Sequence, residues 1–405
     1  MLRAYKYRLY PNASQAELIA KHFGCVRYIY NWAIAKRIKH YESTKKILSR
    51  FELCAEIPKL KADKETAWLS EVNSQSLQST LRNLDEAYTR FFREKKGFPR
   101  FKSKHDNRQS FQCPQLVSVD FESHLINIPK IKNIKARISR TFDGKIKTVT
   151  ISRVPSGKHY ASIMVDDRKP EPKPDGNIKE YGVMGIDLGL KHFATLSTGE
   201  KIANPKPLKW ALKKLARAQR SLARKKKGSK NRNKCKRKLA IIHECVTNRR
   251  RDFQHKLSTR LIRENQAVAI ESLNVSGMQK NSRLARMIGD AAWAQFVDML
   301  KYKAKWNGKT VLQIGQFEPS SKLCICGQLN HDLKLSDRKW TCVHCGETHD
   351  RDILAANNIK RMALHPKNFL AQGMREFTPV ETGNSRSVKQ ELVAEKQLNS
   401  KLWEC

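Results

Sequence analysis

The stretch Val183-Met184-Gly185-Ile186-Asp187-Leu188-Gly189 decides the fold of this chain. Its apolar side chains predict a buried strand, and one carboxylate, Asp187, stands in the middle of them. An isolated carboxylate among apolar neighbours is unfavourable unless it is paired or binds a metal ion. Gly185 and Gly189 leave space beside it for another segment of backbone. Taken alone, the stretch also fits an aspartate at a strand end that caps the next turn.

Two further carboxylates favour a metal site over a turn cap. Ala267 to Glu271 predicts a second apolar strand that ends in an acid, and Asp352 opens a run that looks helical. The order Asp, Glu, Asp is that of a RuvC-type, ribonuclease-H-like site, whereas a common transposase or integrase triad would end in Glu. Three such carboxylates could hold two Mg²⁺ ions, about 3.5–4 Å apart, at a phosphodiester. The sequence therefore predicts Asp187, Glu271 and Asp352 as catalytic residues and magnesium ligands.

The charge of the chain points to a polyanionic partner. Among 405 residues there are 80 Lys and Arg against 38 Asp and Glu, a formal net charge of +42. An imbalance of this size favours nucleic acid over a merely solvated surface. The sequence has no apolar run of about 18 residues, so no membrane span is predicted, and its start lacks the apolar core of a signal peptide. We expect a cytoplasmic, nucleoid-associated protein.

The positive charge is concentrated in residues 206–260, here called the basic arm. This segment has 21 Lys and Arg but only two acids, Glu244 and Asp252, on a pattern that predicts a helical hairpin. A solvated coiled coil would interleave acids, so the pattern favours nucleic-acid binding. The candidate contacts are Lys213, Lys214, Arg217, Arg220, Arg224, Lys225, Arg249 and Arg250, with Lys322 and Arg338 further along the chain.

Four of the ten cysteines form a motif, and the other six are scattered, as in a reducing compartment. Cys324, Cys326, Cys342 and Cys345 predict one structural Zn²⁺ held by four thiolates. The first pair is Cys-x-Cys rather than the usual Cys-x-x-Cys, so His331 and His344 are alternative ligands. Reduced cysteines without a metal are the other interpretation.

Hydrophobic patterns divide the chain further. Strand patterns in residues 1–11 and 101–178 predict one β module, which is interrupted by a helical insertion at 12–100. The nuclease core is expected at 179–317 and 350–370, with a zinc-ribbon module at 318–349. Residues 371–405 have little periodicity and are expected to be a disordered tail that is dispensable for cleavage.

Jointly, these features resemble TnpB (OrfB), the RNA-guided DNA nuclease of bacterial insertion sequences, and the related compact type V CRISPR effectors. The resemblance covers most of residues 1–365. The motifs that carry it are Tyr5 to Pro11, Tyr30-Asn31-Trp32, Gly97 to Lys102, Gly185 to Gly189, Ile270 to Leu273, Ser320-Ser321-Lys322, the cysteine pairs, and His349 to Asp352 with Ala355-Ala356 and Asn358-Ile359.

The resemblance implies an α/β multidomain fold: a wedge β-barrel carrying a helical recognition insertion, then a RuvC domain interrupted by a zinc-bearing module that binds target nucleic acid. It implies a guide RNA from the element's own end, and a double-stranded DNA target cut beside a short motif by two-metal phosphodiester hydrolysis. The family motif maps the catalytic acids onto Asp187, Glu271 and Asp352, with Asp350 less favoured for the third role. Leu354 stands where the family usually has Asn, which is expected to weaken the support of Asp352. A monomer is expected.

Two other functions remain open on the sequence. A non-cleaving RNA-guided DNA-binding repressor would be expected to have lost at least one of the three acids. A guide-independent RuvC-like nuclease would have no use for the large insertion and the basic arm. The sequence therefore favours the RNA-guided endonuclease.

Overall fold

The computed structural model describes residues 1–365, apart from residues 107, 175, 317 and 335. The predicted tail at 371–405 therefore lies outside the described residues. Within the described part, every helix is too short or too polar to cross a bilayer.

The first part of the chain forms a seven-stranded antiparallel sheet. The strand order is β2-β6-β7-β1-β5-β4-β3. The strands are β1 (Leu2–Tyr10), β2 (Gln109–Cys113), β3 (Ser118–Asp120), β4 (Leu125–Ile128), β5 (Ile131–Arg137), β6 (Lys145–Arg153) and β7 (His159–Asp166). Because β1 lies between β5 and β7, the first strand of the chain pairs with strands more than 120 residues away.

The predicted β-barrel is not confirmed. Strands β2 and β3 are the two edges of this sheet, and in the described residues they do not pair with each other. Closure requires the edge strands to pair. Here β3 is only three residues long and pairs with β4, whereas β2 packs against the helices that follow β1. The sheet is therefore open.

Three helices separate β1 from the rest of this sheet. They are α1 (Ala13–Thr44), α2 (Arg50–Ala62) and α3 (Ser74–Glu94), with a 3₁₀ turn at Ala67–Glu71. Asn12 and Ser49 begin α1 and α2 through capping boxes with Gln15 and Glu52. Buried residues of the helices and the sheet, such as Ile29 and Ile151, belong to one core.

The second sheet is mixed and has the order β10-β9-β8-β11-β12. Its strands are β8 (Val183–Leu188), β9 (His192–Leu196), β10 (Lys201–Ala203), β11 (Ala267–Glu271) and β12 (Thr310–Ile314). Strand β9 is antiparallel to both of its neighbours, β8 and β10, whereas β8, β11 and β12 run parallel. The first four residues of β11 are all buried, as in a strand covered on both faces. This strand arrangement agrees with the predicted ribonuclease-H-like core.

Helices and a small hairpin surround the second sheet. They are α4 (Pro207–Ala223), α5 (Lys230–Glu264), α6 (Val275–Met278), α7 (Ser282–Ala291), α8 (Trp293–Trp306) and α9 (Arg351–Leu364). Helices α4 and α5 form the predicted helical hairpin of the basic arm and pack through Ala211, Leu215 and Val246. Residues 315–350, here called the cysteine-rich segment, lie between β12 and α9. They include the paired strands β13 (Lys339–Thr341) and β14 (Thr348–Asp350).

Candidate functional site

Two of the predicted acids lie at the same edge of the second sheet. Strands β8 and β11 are parallel neighbours, and Ile186 is directly opposite Ile270. The next residue on each strand is Asp187 or Glu271, so both carboxylates follow the last paired position at the carboxyl ends of the strands. Because successive side chains of a strand point to opposite faces, this register puts both acids on the same face, next to each other, without any contribution from a loop.

The third acid reaches this edge because Gly185 lets a helix approach β8 closely. A Cβ atom at Gly185 would lie 2.0 Å from the carbonyl oxygen of Ala356 and 2.9 Å from the Cβ of Lys360. Any side chain there would push α9 away from the sheet. With glycine, α9 packs on β8 and brings Asp352, in its first turn, close enough to Asp187 for their charges to interact.

The environment of Asp187 and Glu271 disfavours their ionised forms in the absence of a cation. Burial, followed by the charges of Asp352 and Glu271, raises the pKa of Asp187 to about 7. Burial also raises the pKa of Glu271. A divalent cation would reverse this effect, because its charge stabilises carboxylates that repel one another. The oxygen-only donor set suits Mg²⁺, so the residue types fit the predicted ions. Among the described residues, however, the three carboxylates do not form a group close enough to hold an ion, whereas the four cysteines do.

Asp350 has a different role from Asp352. Its carboxylate caps α9 by accepting hydrogen bonds from the backbone N–H groups of Asp352 (3.1 Å) and Ile353 (3.2 Å). It also pairs with the ammonium group of Lys201 at 2.6 Å. Asp350 therefore holds the start of the helix in place, while Asp352 pairs with Arg338 at 3.1 Å and is close enough to Asp187 to add to the effect of burial in raising its pKa.

The four predicted zinc ligands lie together. All four sulfur atoms are within 4.8 Å of one another. The Sγ atoms of Cys324 and Cys345 are 3.5 Å apart, and those of Cys326 and Cys342 are 3.8 Å apart. A tetrahedral zinc ion with Zn–S bonds of about 2.3 Å would separate its sulfurs by about 3.8 Å. The Cys-x-Cys spacing therefore does not prevent four sulfurs from converging.

Protonation of the thiols depends on their surroundings. Backbone N–H groups of Cys345 and His344 lower the pKa of Cys342 to about 6, whereas burial raises the pKa of Cys324 to about 12. Zinc binding requires all four in the thiolate form, so the metal would displace the remaining protons.

A histidine that was not among the predicted metal ligands lies beside this cluster. The Nε2 atom of His349 is 3.1 Å from Sγ of Cys324, and the imidazole is buried against Trp340. Neither His331 nor His344 belongs to the group of candidate metal ligands among the described residues. The signal in the sequence was the position of His349 four residues after Cys345. In the structure His349 lies on β14, where it pairs with Trp340.

Helix α9 also supports the cysteine-rich segment. Leu354 is buried against Cys324, Trp340 and Cys342. Further along the helix, the side-chain amide of Asn358 donates to the carbonyl oxygens of Ser320 (2.8 Å) and Leu323 (2.6 Å). Leu354 therefore fills the contact between α9 and the cysteines. That it weakens the support of Asp352 stays a prediction.

The predicted nucleic-acid contacts fall into two groups. Seven of the predicted contacts in the basic arm are exposed: Lys213, Lys214, Arg217, Arg220, Arg224, Lys225 and Arg249. The others have protein partners. Arg250 pairs with Asp290 at 3.3 Å, Arg338 pairs with Asp352 at 3.1 Å, and Lys322 donates to the carbonyl oxygen of His331 at 3.3 Å.

An exposed tryptophan lies among the bases of the arm. The guanidinium carbon of Arg249 is 3.7 Å from the centre of the Trp210 ring, and Nζ of Lys214 is 4.7 Å from it. These contacts hold two cations on one side of the hairpin.

Comparisons with known sequences cover much of the chain. The OrfB_IS605 family model, described as "Probable transposase", matches residues 162–282. The helix-turn-helix domain model of the same family matches residues 1–46. A model described as "Cas12f1-like, TNB domain" matches residues 293–359, which include the four cysteines.

Two curated relatives match nearly end to end. A protein of Streptomyces pristinaespiralis named "Putative RNA-guided DNA endonuclease" is 40% identical over 393 residues, which are 96% of each chain. The Escherichia coli K12 protein named "Putative RNA-guided DNA endonuclease InsQ" is 34% identical and covers 88% of this chain and 91% of its own. Among solved structures, a Cas12f1 complex with single-guide RNA and target DNA aligns with a TM-score of 0.46 at 14% identity, over 89% of this chain and 98% of that one.

Proposed function

Because this chain belongs to the TnpB (OrfB) family of insertion-sequence proteins, we propose that it is an RNA-guided DNA endonuclease that hydrolyses phosphodiester bonds with the help of metal ions. The observation that supports the proposal most is the register of β8 and β11, which puts Asp187 and Glu271 on neighbouring strands, together with the close approach of α9 at Gly185, which brings Asp352 near enough to add to the effect of burial in raising the pKa of Asp187. A repressor derived from this family would not need all three acids. Their retention favours cleavage.

Each acid has a distinct support. Asp187 and Glu271 are fixed by neighbouring strands, and Asp352 by the first turn of α9. Together they would hold two Mg²⁺ ions, which in such sites activate the attacking water and stabilise the leaving oxygen. Arg338, which pairs with Asp352 at 3.1 Å, extends a cation from the cysteine-rich segment toward this edge. A DNA phosphate that enters the site offers this guanidinium a second anionic partner.

The remaining assignments follow the same proposal. The exposed bases of the arm would hold a guide RNA from the end of the element, and base pairing would select a double-stranded DNA target beside a short motif. We propose residues 1–11 and 101–178 as the wedge domain, with 12–100 as its recognition insertion. Residues 179–317 and 350–370 would form the nuclease domain, and 318–349 a structural zinc module, in a protein that acts as a monomer.

Exchange of the guide tests the proposal directly. Purified protein is combined with RNA from the element end that carries one of two guide segments. Each RNA is tested on plasmids that carry one of the two matching targets, and the sequence beside each target is varied in a library so that the adjacent motif is included. Cleavage that follows the guide supports the RNA-guided endonuclease. Guide-dependent binding without cleavage would support the repressor, and cleavage independent of the guide would support the guide-independent nuclease.

Removal of one thiolate should affect both zinc content and cleavage. Cys342→Ser is expected to reduce bound zinc well below one ion per chain and to lower cleavage by roughly tenfold or more. The reason is that Leu354 and Asn358 tie the cysteine-rich segment to the helix that carries Asp352. Metal analysis and single-turnover cleavage measure the two effects. Cys245→Ser, on α5 and outside the cysteine group, should change neither; zinc-free wild-type protein with full activity would contradict the prediction.

The two aspartates at the start of α9 should respond differently to the same substitution. Asp352→Asn is expected to reduce cleavage by roughly 100-fold or more, because it removes a charged metal ligand. Asp350→Asn should retain most activity, because asparagine caps helices about as well as aspartate. Asp350→Ala loses the cap and should lie between them. If Asp350→Asn were inactive and Asp352→Asn active, Asp350 would be the metal ligand and Asp352 would not.

A further inference from the structure

A cavity of about 430 Å³ opens beside Glu271. It is bounded by the chain that follows β11, by the first turns of α8, and by the end of β12. Its size lies within the range of roughly 300–1,000 Å³ in which organic ligands are bound. Of the three acids, Glu271 alone is among its lining residues.

The lining combines apolar walls with neutral hydrogen-bonding groups. Leu273, Val275 and Val297 supply apolar surface, while Gln313 and Gln316 supply amides that both donate and accept. Trp293 also lines the cavity and is only 2% exposed, and its indole Nε1 has no hydrogen-bond partner among the described residues. That nitrogen is itself buried, so Trp293 contributes apolar surface to the cavity rather than a donor.

The charge of the lining discriminates between the parts of a nucleotide. Glu271 and Asp298 are acidic and Lys301 is the one base among the lining residues, so an anionic group is disfavoured there. A nucleobase is neutral, has flat apolar faces and presents donors and acceptors on its edge. The phosphate would remain at the metal-binding carboxylates, while the base has a neutral site next to them.

We propose that this cavity receives the base of the DNA nucleotide next to the cleaved phosphate. The inference rests on the proposed endonuclease function and adds a contact to the substrate at the same site. A strand displaced or unwound from its partner has unpaired bases, which enter a pocket at lower cost than paired ones. Seating the base would position the adjacent phosphate relative to Glu271 and so favour one cleavage position over its neighbours.

The first test combines a blocked cavity with abasic DNA. Ala294→Phe fills the cavity from the exposed surface of α8, and Ser276→Phe fills it from the opposite wall should the first variant fail to fold. An abasic nucleotide is placed in turn at each position around the cut. Wild-type protein should lose roughly five- to 100-fold in cleavage rate at one position next to the cut. The blocked variants should cut intact DNA at a similarly reduced rate and show no further loss at that position.

A matched substitution controls for the added ring. Ala20→Phe places the same side chain on an exposed site of α1, far along the chain from the cavity, and should keep the wild-type pattern. Uniform tolerance of abasic positions by the wild type, or unchanged sensitivity in Ala294→Phe, would overturn the proposal.

A fluorescence measurement separates this inference from the proposed function. In the Asp187→Ala background, which is expected to abolish cleavage, 2-aminopurine is placed at the sensitive position or, failing one, at each position next to the expected cut. Its fluorescence should rise on binding, because the seated base no longer stacks on its neighbours, and the rise should be smaller with Ala294→Phe. Wild-type protein that cuts no guide-matched DNA would contradict the endonuclease proposal. The fluorescence of bound DNA would still decide whether the cavity takes a base. Unchanged fluorescence at every position would reject the proposed base-binding cavity.

Discussion

Replacing Asp187 by alanine is expected to abolish cleavage of guide-matched DNA while leaving RNA and target binding near their wild-type levels. The loss should be on the order of a thousandfold or more, because a metal ion that stabilises charge in the transition state loses a ligand. Binding should persist because we expect the exposed bases of the arm, rather than the acids, to contact the phosphates. Single-turnover cleavage and filter binding measure the two properties, and Glu271→Ala should behave alike. Cleavage near the wild-type rate would refute the catalytic assignment.

Stability provides an independent check on this prediction. Burial and neighbouring charges raise the pKa of Asp187 to about 7 from a usual value near 4. Between these values the folded protein binds more protons than the unfolded chain, so this carboxylate lowers metal-free stability progressively as the pH rises. Asp187→Asn should therefore be at least as stable as the wild type at pH 8 without metal. A large loss of stability would indicate a structural role instead.

The same pKa predicts how metal dependence changes with pH. The carboxylate must be ionised to bind Mg²⁺, so the Mg²⁺ concentration needed for half-maximal cleavage should rise as the pH falls below about 7. Titrations of Mg²⁺ at pH 6, 7 and 8 would measure this shift.

The strands around the acids could be predicted because their patterns are local. The largely apolar stretches Val183 to Leu188 and Ala267 to Ile270 are long enough to specify strands. An acid inside the first stretch and another directly after the second are conspicuous. The space expected beside Gly185 is also present, but the sequence alone could not say that α9 fills it, because this contact joins residues 171 positions apart.

Other features depended on contacts that no local pattern records. Whether the first sheet closes is decided by the pairing of β2 and β3, and neither strand carries a sign of its partner. Composition identified the basic arm correctly as a concentration of charge, but it could not separate the exposed Arg249 from the neighbouring Arg250, which pairs with Asp290. The cavity beside Glu271 joins three distant segments and was likewise invisible in the sequence.

Removal of RNA from the purified protein is expected to abolish DNA cleavage completely. The basic arm carries 21 Lys and Arg against two acids, and seven of its candidate contacts are exposed, more than a short duplex substrate would require. Purified protein should therefore carry a long RNA that survives moderate salt and is lost at high salt. Each phosphate contact should contribute about 0.7–0.9 to the slope of log affinity against log salt concentration.

Charge removal within the arm tests the origin of this slope. The triple variant Lys213→Gln, Arg217→Gln and Arg220→Gln should reduce the slope by about 0.7–0.9 for each of the three side chains that binds a phosphate in the wild type. Lys21→Gln is the control, because Lys21 lies on α1 and is already paired with Glu71 at 2.6 Å, so the slope should not change. Cleavage should return only when RNA with a guide end matching the target is added back. Two results would favour the guide-independent nuclease: ribonuclease-treated protein that still cuts the same DNA, or cleavage that does not depend on the sequence of the guide end. In either case the charge of the arm would bind DNA and not a guide RNA.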